Sequence, residues 1–197
     1  PRGAVTRHTF YSTVTGKAEV VLVYTPDGYD PGKKYPVLYL QHGFGENETG
    51  WVYQGHLARI ADKLIHDGEM TPMIIAMGNG MTQPAGRDLS AVNKSEIFAL
   101  FPKMFLTDLI PFVESHYAVA GDKQNRAMAG LSMGSYQTSV TTLSHPELFA
   151  YAGLFSGFLQ GPWPDQDRSY LNILDRPAEF ADSFKLFYRA MGTEDQY

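Results

Sequence analysis

The chain has 197 residues, of which 44% are hydrophobic and 19% are charged, and its formal net charge is −5. Such a chain is long enough for one globular domain with a sizeable core, and we assign residues 1–197 to a single domain. The acidic balance without a basic cluster argues against a nucleic-acid partner, and no apolar run is long enough to span a bilayer. The sequence has no cysteine, which excludes disulfides, thiol catalysis and zinc–thiolate sites.

Apolar runs alternate with helical patterns along the chain. Strands are predicted at residues 19–24, 36–40, 72–77, 149–155 and 185–191, of which 36–40 and 72–77 are apolar enough to be buried. Helices are predicted at residues 56–66 and 101–117, the second with a kink at Pro111, and residues 81–95 carry no period and are predicted to form a loop. Strands that alternate with helices predict an open, mostly parallel sheet with helices on both faces.

The pentapeptide Gly130-Leu131-Ser132-Met133-Gly134 lies between a short apolar run at 126–129 and a helix-compatible stretch at 136–143. This context predicts a serine elbow, a sharp strand-to-helix turn that holds a strained Ser with its Oγ exposed. Glycines are expected on both sides because a Cβ there would clash with the neighbouring strand and helix. Ser132 is therefore the candidate nucleophile; the alternative is an ordinary Gly-rich turn with a solvated Ser.

A second loop, His42-Gly43-Phe44-Gly45-Glu46, directly follows the strand that ends at Gln41. Its glycines let the backbone approach a substrate closely, so the N–H groups of Phe44 and Met133 are candidates for an oxyanion hole. We expect a structural role for His42, in which its ring ties the loop to neighbouring backbone. A role as the catalytic base is disfavoured because His42 precedes the nucleophile in the chain.

A third loop, Gly192-Thr193-Glu194-Asp195, follows the last predicted strand. A carboxylate there could orient a histidine, with Asp195 the better candidate and Glu194 the second; a turn acid that starts a helix is an equally good interpretation. Fold order places the base after the acid. All six histidines precede Asp195, and none of them is a convincing base.

Four further residues lie in loops expected near the same edge of the sheet, and their side chains could contact a substrate: Trp51, Gln54, Asn79 and Trp163. Aromatic rings could stack on a phenolic or sugar ring, and the amides could orient it. The alternative, which we favour, is that both Trp residues pack the loops. Neither metal-ligand spacing nor a phosphate-binding loop is found, so no metal and no cofactor are expected.

Five segments together carry a resemblance to a known family: 35–43, 46–51, 72–75, 126–134 and 192–195. They resemble the putative esterase family of carbohydrate esterase family 1, which is part of the α/β-hydrolase superfamily and includes feruloyl, acetyl-xylan and enterochelin-type esterases. The resemblance extends over nearly the whole chain and implies an α/β-hydrolase fold. Many relatives have Gly after the elbow, where this sequence has Ser135.

The resemblance also implies roles for individual residues. Ser132 would be the nucleophile, Asp195 the triad acid, and Phe44 and Met133 the oxyanion donors, with a catalytic His a few dozen residues beyond Asp195. A last helix and strand would normally follow, so we expect the natural protein to continue past Tyr197 and to supply the His from that segment. The opening residues 1–16 resemble the segment that follows a carbohydrate-binding-like domain, so such a domain is expected upstream.

The expected function is that of a secreted or periplasmic serine carboxylic-ester hydrolase acting on plant cell-wall polysaccharide esters in xylan degradation. Its substrate would be a small ester or a feruloylated or acetylated oligosaccharide, cleaved through an acyl-enzyme on Ser132. Two alternatives stay open at this point. One is a siderophore esterase with the same machinery, and the other is a catalytically inactive hydrolase fold that binds a glycan or a protein.

Overall fold

A seven-stranded sheet organises the part of the chain that the computed structural model describes, residues 2–86, 94–157, 159 and 167–195. The strand order is β1-β2-β4-β3-β5-β6-β7. The strands are β1 (Ala4–Ser12), β2 (Lys17–Thr25), β3 (Val37–Gln41), β4 (Ile74–Gly78), β5 (Arg126–Leu131), β6 (Tyr151–Phe155) and β7 (Leu186–Ala190). β1 and β2 pair antiparallel, as do β2 and β4, and all other pairs are parallel. The predicted mostly parallel sheet is confirmed.

Six α-helices surround this sheet in the described residues. They are α1 (Gly50–Tyr53), α2 (Leu57–His66), α3 (Lys94–Met104), α4 (Ile110–His116), α5 (Met133–Ser144) and α6 (Pro177–Ser183). A π-helical turn, Phe105–Leu109, joins α3 to α4, and 3₁₀ turns occur at Lys123–Asn125 and Ser169–Asp175. In the described ranges we find no helix long and apolar enough to cross a membrane.

The helices cover both faces of the sheet, as predicted. α3, the π-helical turn and α4 pack on one face, where Tyr39 and Met128 of the central strands are fully buried. α5 continues this layer over β6, burying Leu154. α2 packs on the opposite face, with Leu57 and Ala61 against Leu40 and Ile75 and their neighbours. Burial on both faces explains why residues 37–40 of β3 and the residues of β4 are apolar.

The structure corrects two of the predicted element assignments. β1 was not predicted; it is an edge strand with mostly exposed or half-buried side chains, so its sequence lacks an apolar pattern. α3 begins at Lys94, inside the predicted loop, because buried Ile97, Phe101 and Met104 follow helical spacing.

The predicted kink at Pro111 takes the form of a π-helical turn just before it. Ile110 N–H donates to Phe105 O, five residues back. Pro111 then lies in the first turn of α4, where a residue without an N–H loses no intrahelical hydrogen bond.

One flank of the sheet is apolar and exposed. Tyr188 of β7 pairs in register with Gly153 of β6, and its ring lies 5.9 Å from that of Phe155 on the same face. The side chains of Leu186 and Tyr188 are 52% and 49% exposed. This flank, formed by Leu186, Tyr188 and Phe155, faces away from α5 and α6.

A polypeptide limited to residues 1–197 is therefore expected to self-associate, because contiguous exposed apolar side chains on a sheet flank favour association. Replacing Leu186 and Tyr188 together by Lys should shift the population toward monomer in size-exclusion chromatography with light scattering. Tyr11→Lys is the control, since Tyr11 is also exposed, to 68%, but lies on the opposite edge strand, β1. A monodisperse monomer of the unsubstituted polypeptide would contradict this prediction.

Candidate active site

Ser132 occupies the turn between β5 and α5 in a backbone conformation that L-residues rarely adopt. Its φ and ψ are 53° and −111°, and its N–H donates to Phe155 O at the end of the adjacent β6, at 2.9 Å. The Ser132 side chain makes no capping hydrogen bond to α5 and is only half-buried. The hydroxyl is thus held at the carboxyl end of the sheet, and the strain marks a position that serves more than the fold.

Two close backbone approaches make the elbow possible. A Cβ on Gly130 would lie 2.3 Å from the carbonyl carbon of Gly134, and a Cβ on Gly134 would lie 2.6 Å from Gln41 O. Both distances are far below any contact that a real Cβ makes. The elbow glycines therefore let α5 start directly against β5 and β3, as the sequence predicted.

The loop after β3 forms a type II β-turn over residues 43–46. Gly45 has φ +83°, which this turn requires at its third position, and Glu46 N–H donates to Gly43 O at 3.3 Å. Gly43 N–H in turn donates to Glu46 Oε2 at 2.8 Å. A Cβ on Gly43 would lie 3.8 Å from Ser132 Cβ, so the turn packs directly against the nucleophile candidate.

His42 is buried, and backbone groups engage both of its ring nitrogens. Gly80 N–H donates to Nε2 at 2.8 Å, so the proton of the neutral ring is on Nδ1, which donates to Gly43 O at 2.8 Å. Burial lowers the pKa of His42 below its usual 6.5, and the Gly43 hydrogen bond and the Glu46 carboxylate oppose this shift only in part. A buried neutral ring with both nitrogens occupied ties loops together, which agrees with the structural role expected for His42.

Gly80, after β4, is held from both sides. Its N–H binds His42, and its carbonyl accepts from Gln137 Nε2 of α5 at 2.8 Å. The neighbouring Asn79 is half-buried, and its Oδ1 accepts from Met81 N–H at 2.9 Å. The structure thus places Asn79 at the expected edge of the sheet, with its amide oxygen used in a local turn.

The other proposed substrate contacts differ in exposure. Trp51 Nε1 donates to Gln41 O at 2.9 Å, and the indole packs against the core beneath α2, a placement that favours the packing interpretation. Gln54 is exposed at the end of α1. Trp163 lies outside the described residues. Tyr53, which the sequence did not single out, is 71% exposed beside Gln54.

The third loop follows β7, two strands from the elbow. Asp195 N–H donates to Gly192 O at 3.1 Å, and Asp195 is half-buried whereas Glu194 is exposed. Ser156 directly follows Phe155, whose carbonyl accepts from Ser132 N–H. The N–H of Ser156 donates to Ala190 O of β7 at 2.9 Å. Backbone hydrogen bonds therefore connect the elbow, the end of β6 and the end of β7 in sequence.

The remaining histidines belong to other surroundings. A hydrogen bond of 2.6 Å joins the ring of His8, on β1, to the hydroxyl of Tyr117. The same ring lies next to that of His116, on α4. His145 caps the far end of α5, about 18 Å from Ser132 along twelve helical residues. His56 precedes α2 and His66 is its last residue, on the opposite face of the sheet. Within the described ranges, no hydrogen bond joins a histidine ring to Ser132.

The site also contains Glu46 and Gln137, for which no role was predicted from the sequence. Glu46 follows Gly43 by three residues, a spacing typical of a side chain that closes a turn on its own backbone, and that spacing is a signal in the sequence. The contact of Gln137 with Gly80 depends on tertiary structure and has no such signal. Among the described residues we find no cluster of His, Asp and Glu suited to a metal ion.

Residues 12–189 match the family described as Putative esterase. The chain is 44% identical over 160 residues to an endo-1,4-β-xylanase/feruloyl esterase of Xylanibacter ruminicola, an alignment that covers 79% of this chain and 22% of that protein. A CE1 ferulic acid esterase of Anaeromyces mucronatus, solved with ferulic acid, superposes with a TM-score of 0.74 at 27% identity, covering 85% of this chain and 62% of the other.

A feruloyl esterase module from Clostridium thermocellum, solved as a mutant with sinapinate, also gives a TM-score of 0.74 at 27% identity. The match covers 98% of this chain and 68% of that module. The chain thus spans about a fifth of the xylanase/feruloyl esterase and about two thirds of the two esterase structures.

The elbow glycines should tolerate no side chain. Gly130→Ala would force Gly134 and the start of α5 to move, so we expect a loss of about 3 kcal/mol or more in the free energy of unfolding, measured by urea denaturation. Gly192→Ala is the control, because its nearest neighbour would lie at 3.9 Å, and a change below about 1 kcal/mol is expected. Equal effects of the two substitutions would refute this steric account.

His42 should make the stability depend on pH. Its pKa is lowered in the folded protein, so the unfolded chain binds the proton more readily and acid favours unfolding. The contribution is complete above pH of about 6.5 and is lost as the pH falls below that value, with a slope of up to about 1.4 kcal/mol per pH unit.

The measurement is the free energy of unfolding against pH for the wild type minus that for His42→Leu, a difference in which the other histidines cancel. A flat difference between pH 7.5 and 5 would contradict the neutral, buried state of His42.

Proposed function

Because this chain belongs to the putative esterase family, we propose that it forms the core of a serine carboxylic-ester hydrolase that cleaves feruloyl esters of plant cell-wall polysaccharides. One observation carries the proposal. Ser132 is strained at positive φ, its hydroxyl does not cap α5, and the turn of residues 43–46 packs against it from the neighbouring strand. That combination fits a nucleophile facing backbone donors.

The reaction would begin with attack of Ser132 Oγ on the ester carbonyl carbon. The carbonyl π electrons move to oxygen, and the N–H groups of Phe44 and Met133 stabilise the resulting negative charge. Met133 N–H suits this role because it is the first amide of α5, which has no intrahelical acceptor. Donors aimed at charge that appears only in the tetrahedral state lower the barrier itself.

The tetrahedral intermediate would then collapse, breaking the bond between carbon and the sugar oxygen. The sugar alcohol leaves with a proton, and the feruloyl group stays on Ser132 as an ester. Water attacks this acyl-enzyme by the same route, releasing ferulate and regenerating the hydroxyl. A histidine base takes the Ser132 proton, returns it to the sugar oxygen, and repeats the cycle with water.

We assign the orienting acid of this base to Asp195, which follows β7 and is less exposed than Glu194. The base itself is proposed to come from residues beyond this segment of the protein, since both ring nitrogens of His42 are occupied and the other five histidines lie elsewhere in the fold. Asp195 would accept a hydrogen bond from its Nδ1–H and fix the tautomer.

The choice of a feruloyl substrate rests on the relatives and on the rim of the site. The similar structures contain ferulic acid and sinapinate, which are phenolic acids. Phe44 in the turn and Tyr53 at the end of α1 are 43% and 71% exposed and offer aromatic surface to a phenolic ring or a sugar. Because a polysaccharide does not enter the cell, the protein would act outside the cytoplasm.

Ser132→Ala tests the proposal in the full-length protein. Turnover of methyl ferulate, followed by release of ferulate, should fall by about 10⁴-fold or more because the acyl-enzyme cannot form. Covalent labelling by a fluorophosphonate probe should disappear as well. Ser115→Ala is the control, since Ser115 is exposed on α4, and it should behave like the wild type.

A panel of substrates separates the related activities. Faster turnover of methyl ferulate than of p-nitrophenyl acetate or of a trilactone siderophore supports the feruloyl assignment, and the reverse order overturns it. Unchanged labelling and turnover in Ser132→Ala would overturn the assignment of the nucleophile.

A further inference from the structure

We propose that Glu46 is a positioning residue which, together with His42, orients and polarises the peptide unit between Gly43 and Phe44, so that the Phe44 N–H is fixed as an oxyanion donor. This inference rests on the proposed function. It assigns a role in transition-state stabilisation to a carboxylate that does not itself touch the substrate.

The geometry of one peptide unit sets the direction of the Phe44 N–H. The Gly43 carbonyl and the Phe44 N–H belong to the same planar group, and in a trans peptide they point in opposite directions. Whatever fixes the direction of Gly43 O therefore fixes the direction of the Phe44 N–H. The direction of this oxyanion-hole donor is therefore fixed by the groups that bind Gly43 O, on the side of the peptide that faces away from the substrate.

Two donors hold Gly43 O. His42 Nδ1–H donates to it at 2.8 Å, and the Glu46 N–H donates at 3.3 Å across the type II turn. Since Gly80 N–H occupies His42 Nε2, the ring has a single tautomer with its proton directed at Gly43 O. Hydrogen bonds accepted by a carbonyl also strengthen the donor at the other end of the same peptide.

Glu46 holds the other end of Gly43. Its Oε2 accepts from Gly43 N–H at 2.8 Å, so Gly43 is fixed through its N–H by the side chain and through its carbonyl by the backbone of the same residue. Gly43 is buried, so this N–H has no alternative partner in bulk solvent. Without the carboxylate, the turn would have to rotate to satisfy Gly43, and the Phe44 N–H would rotate with it.

A neutral acceptor should replace the carboxylate. The amide oxygen of Gln can accept from Gly43 N–H in the same place, whereas Ala cannot. Glu46→Gln also removes a negative charge beside the position where an oxyanion develops, so nothing electrostatic should be lost. This contrast between Gln and Ala distinguishes orientation by a hydrogen bond from a requirement for charge.

The experiment compares Glu46→Ala, Glu46→Gln and Glu48→Ala in the full-length protein, with methyl ferulate as substrate. Loss of one oxyanion donor typically lowers kcat by 10²- to 10³-fold, so a misdirected donor in Glu46→Ala should lower kcat by about 10- to 100-fold, with KM changed less than about threefold. Glu46→Gln should retain kcat within about threefold of the wild type.

Glu48→Ala is the matched control because Glu48 is buried in the same loop, and its carboxylate lies 4.0 Å from Arg7 and not against Gly43. It should keep the wild-type kcat. An equal loss of kcat in both alanine variants, or no rescue by Gln, would overturn the inference by showing general damage to the loop. Wild-type kcat in Glu46→Ala would overturn it too.

Two readouts keep this inference separate from the proposed function. If Ser132→Ala abolishes turnover while Glu46→Ala does not affect it, the esterase proposal stands and the role of Glu46 is wrong. If Ser132→Ala leaves turnover unchanged, the nucleophile assignment itself is wrong. Circular dichroism and the urea midpoint of Glu46→Ala are compared with those of Glu48→Ala, and a loss of kcat that exceeds the matched loss of stability supports positioning.

Discussion

The close approach of three backbone segments is the constraint on which the rest of this structure depends. Gly134 lies against Gly130 on one side and against Gln41 on the other, at distances that exclude any Cβ. Because α5 can begin there, the chain leaves β5 abruptly and Ser132 takes a positive φ. The same contact brings the end of β3 next to the elbow, so a steric requirement for glycine decides which loop can face the serine hydroxyl.

Parallel pairing then brings the other loops to the same edge. The strands β4, β3, β5, β6 and β7 are parallel neighbours, so their carboxyl ends lie side by side. Two backbone hydrogen bonds extend this order beyond the strands, from Ser132 to Phe155 and from Ser156 to Ala190. Ser156 also has a positive φ, of 41°, at this junction. Two of the three non-glycine residues with positive φ in the described part of the chain, Ser132 and Ser156, therefore lie where the loops of the candidate site converge, and the third is His56.

The features of the fold and of the candidate site that could be predicted from the sequence are those that depend on residues close together in the chain. The elbow and the buried strands follow from short patterns, since glycine spacing and apolar runs report nearby sterics and burial. The structural role expected for His42 followed from its position ahead of the nucleophile in the chain. β1 was missed because an edge strand needs no apolar alternation, and the start of α3 was missed because residues 81–95 of the sequence show no helical period. The hydrogen bond from Gln137 to Gly80 O joins positions far apart in the chain, so no local pattern could predict it.

The surroundings of His42 show why two histidine functions are incompatible at one position. A catalytic base must exchange a proton in each cycle, which requires a nitrogen free to accept from Ser132 and an environment that tolerates the charged ring. His42 lacks both, since Gly80 N–H occupies its only acceptor and burial lowers its pKa. Protonation of His42 would direct its Nε2–H at the Gly80 N–H, so that two donors face each other, and would place a positive charge in the core. A ring held in this way serves as a fixed donor to Gly43 O, and its lowered pKa favours the neutral form that this arrangement requires.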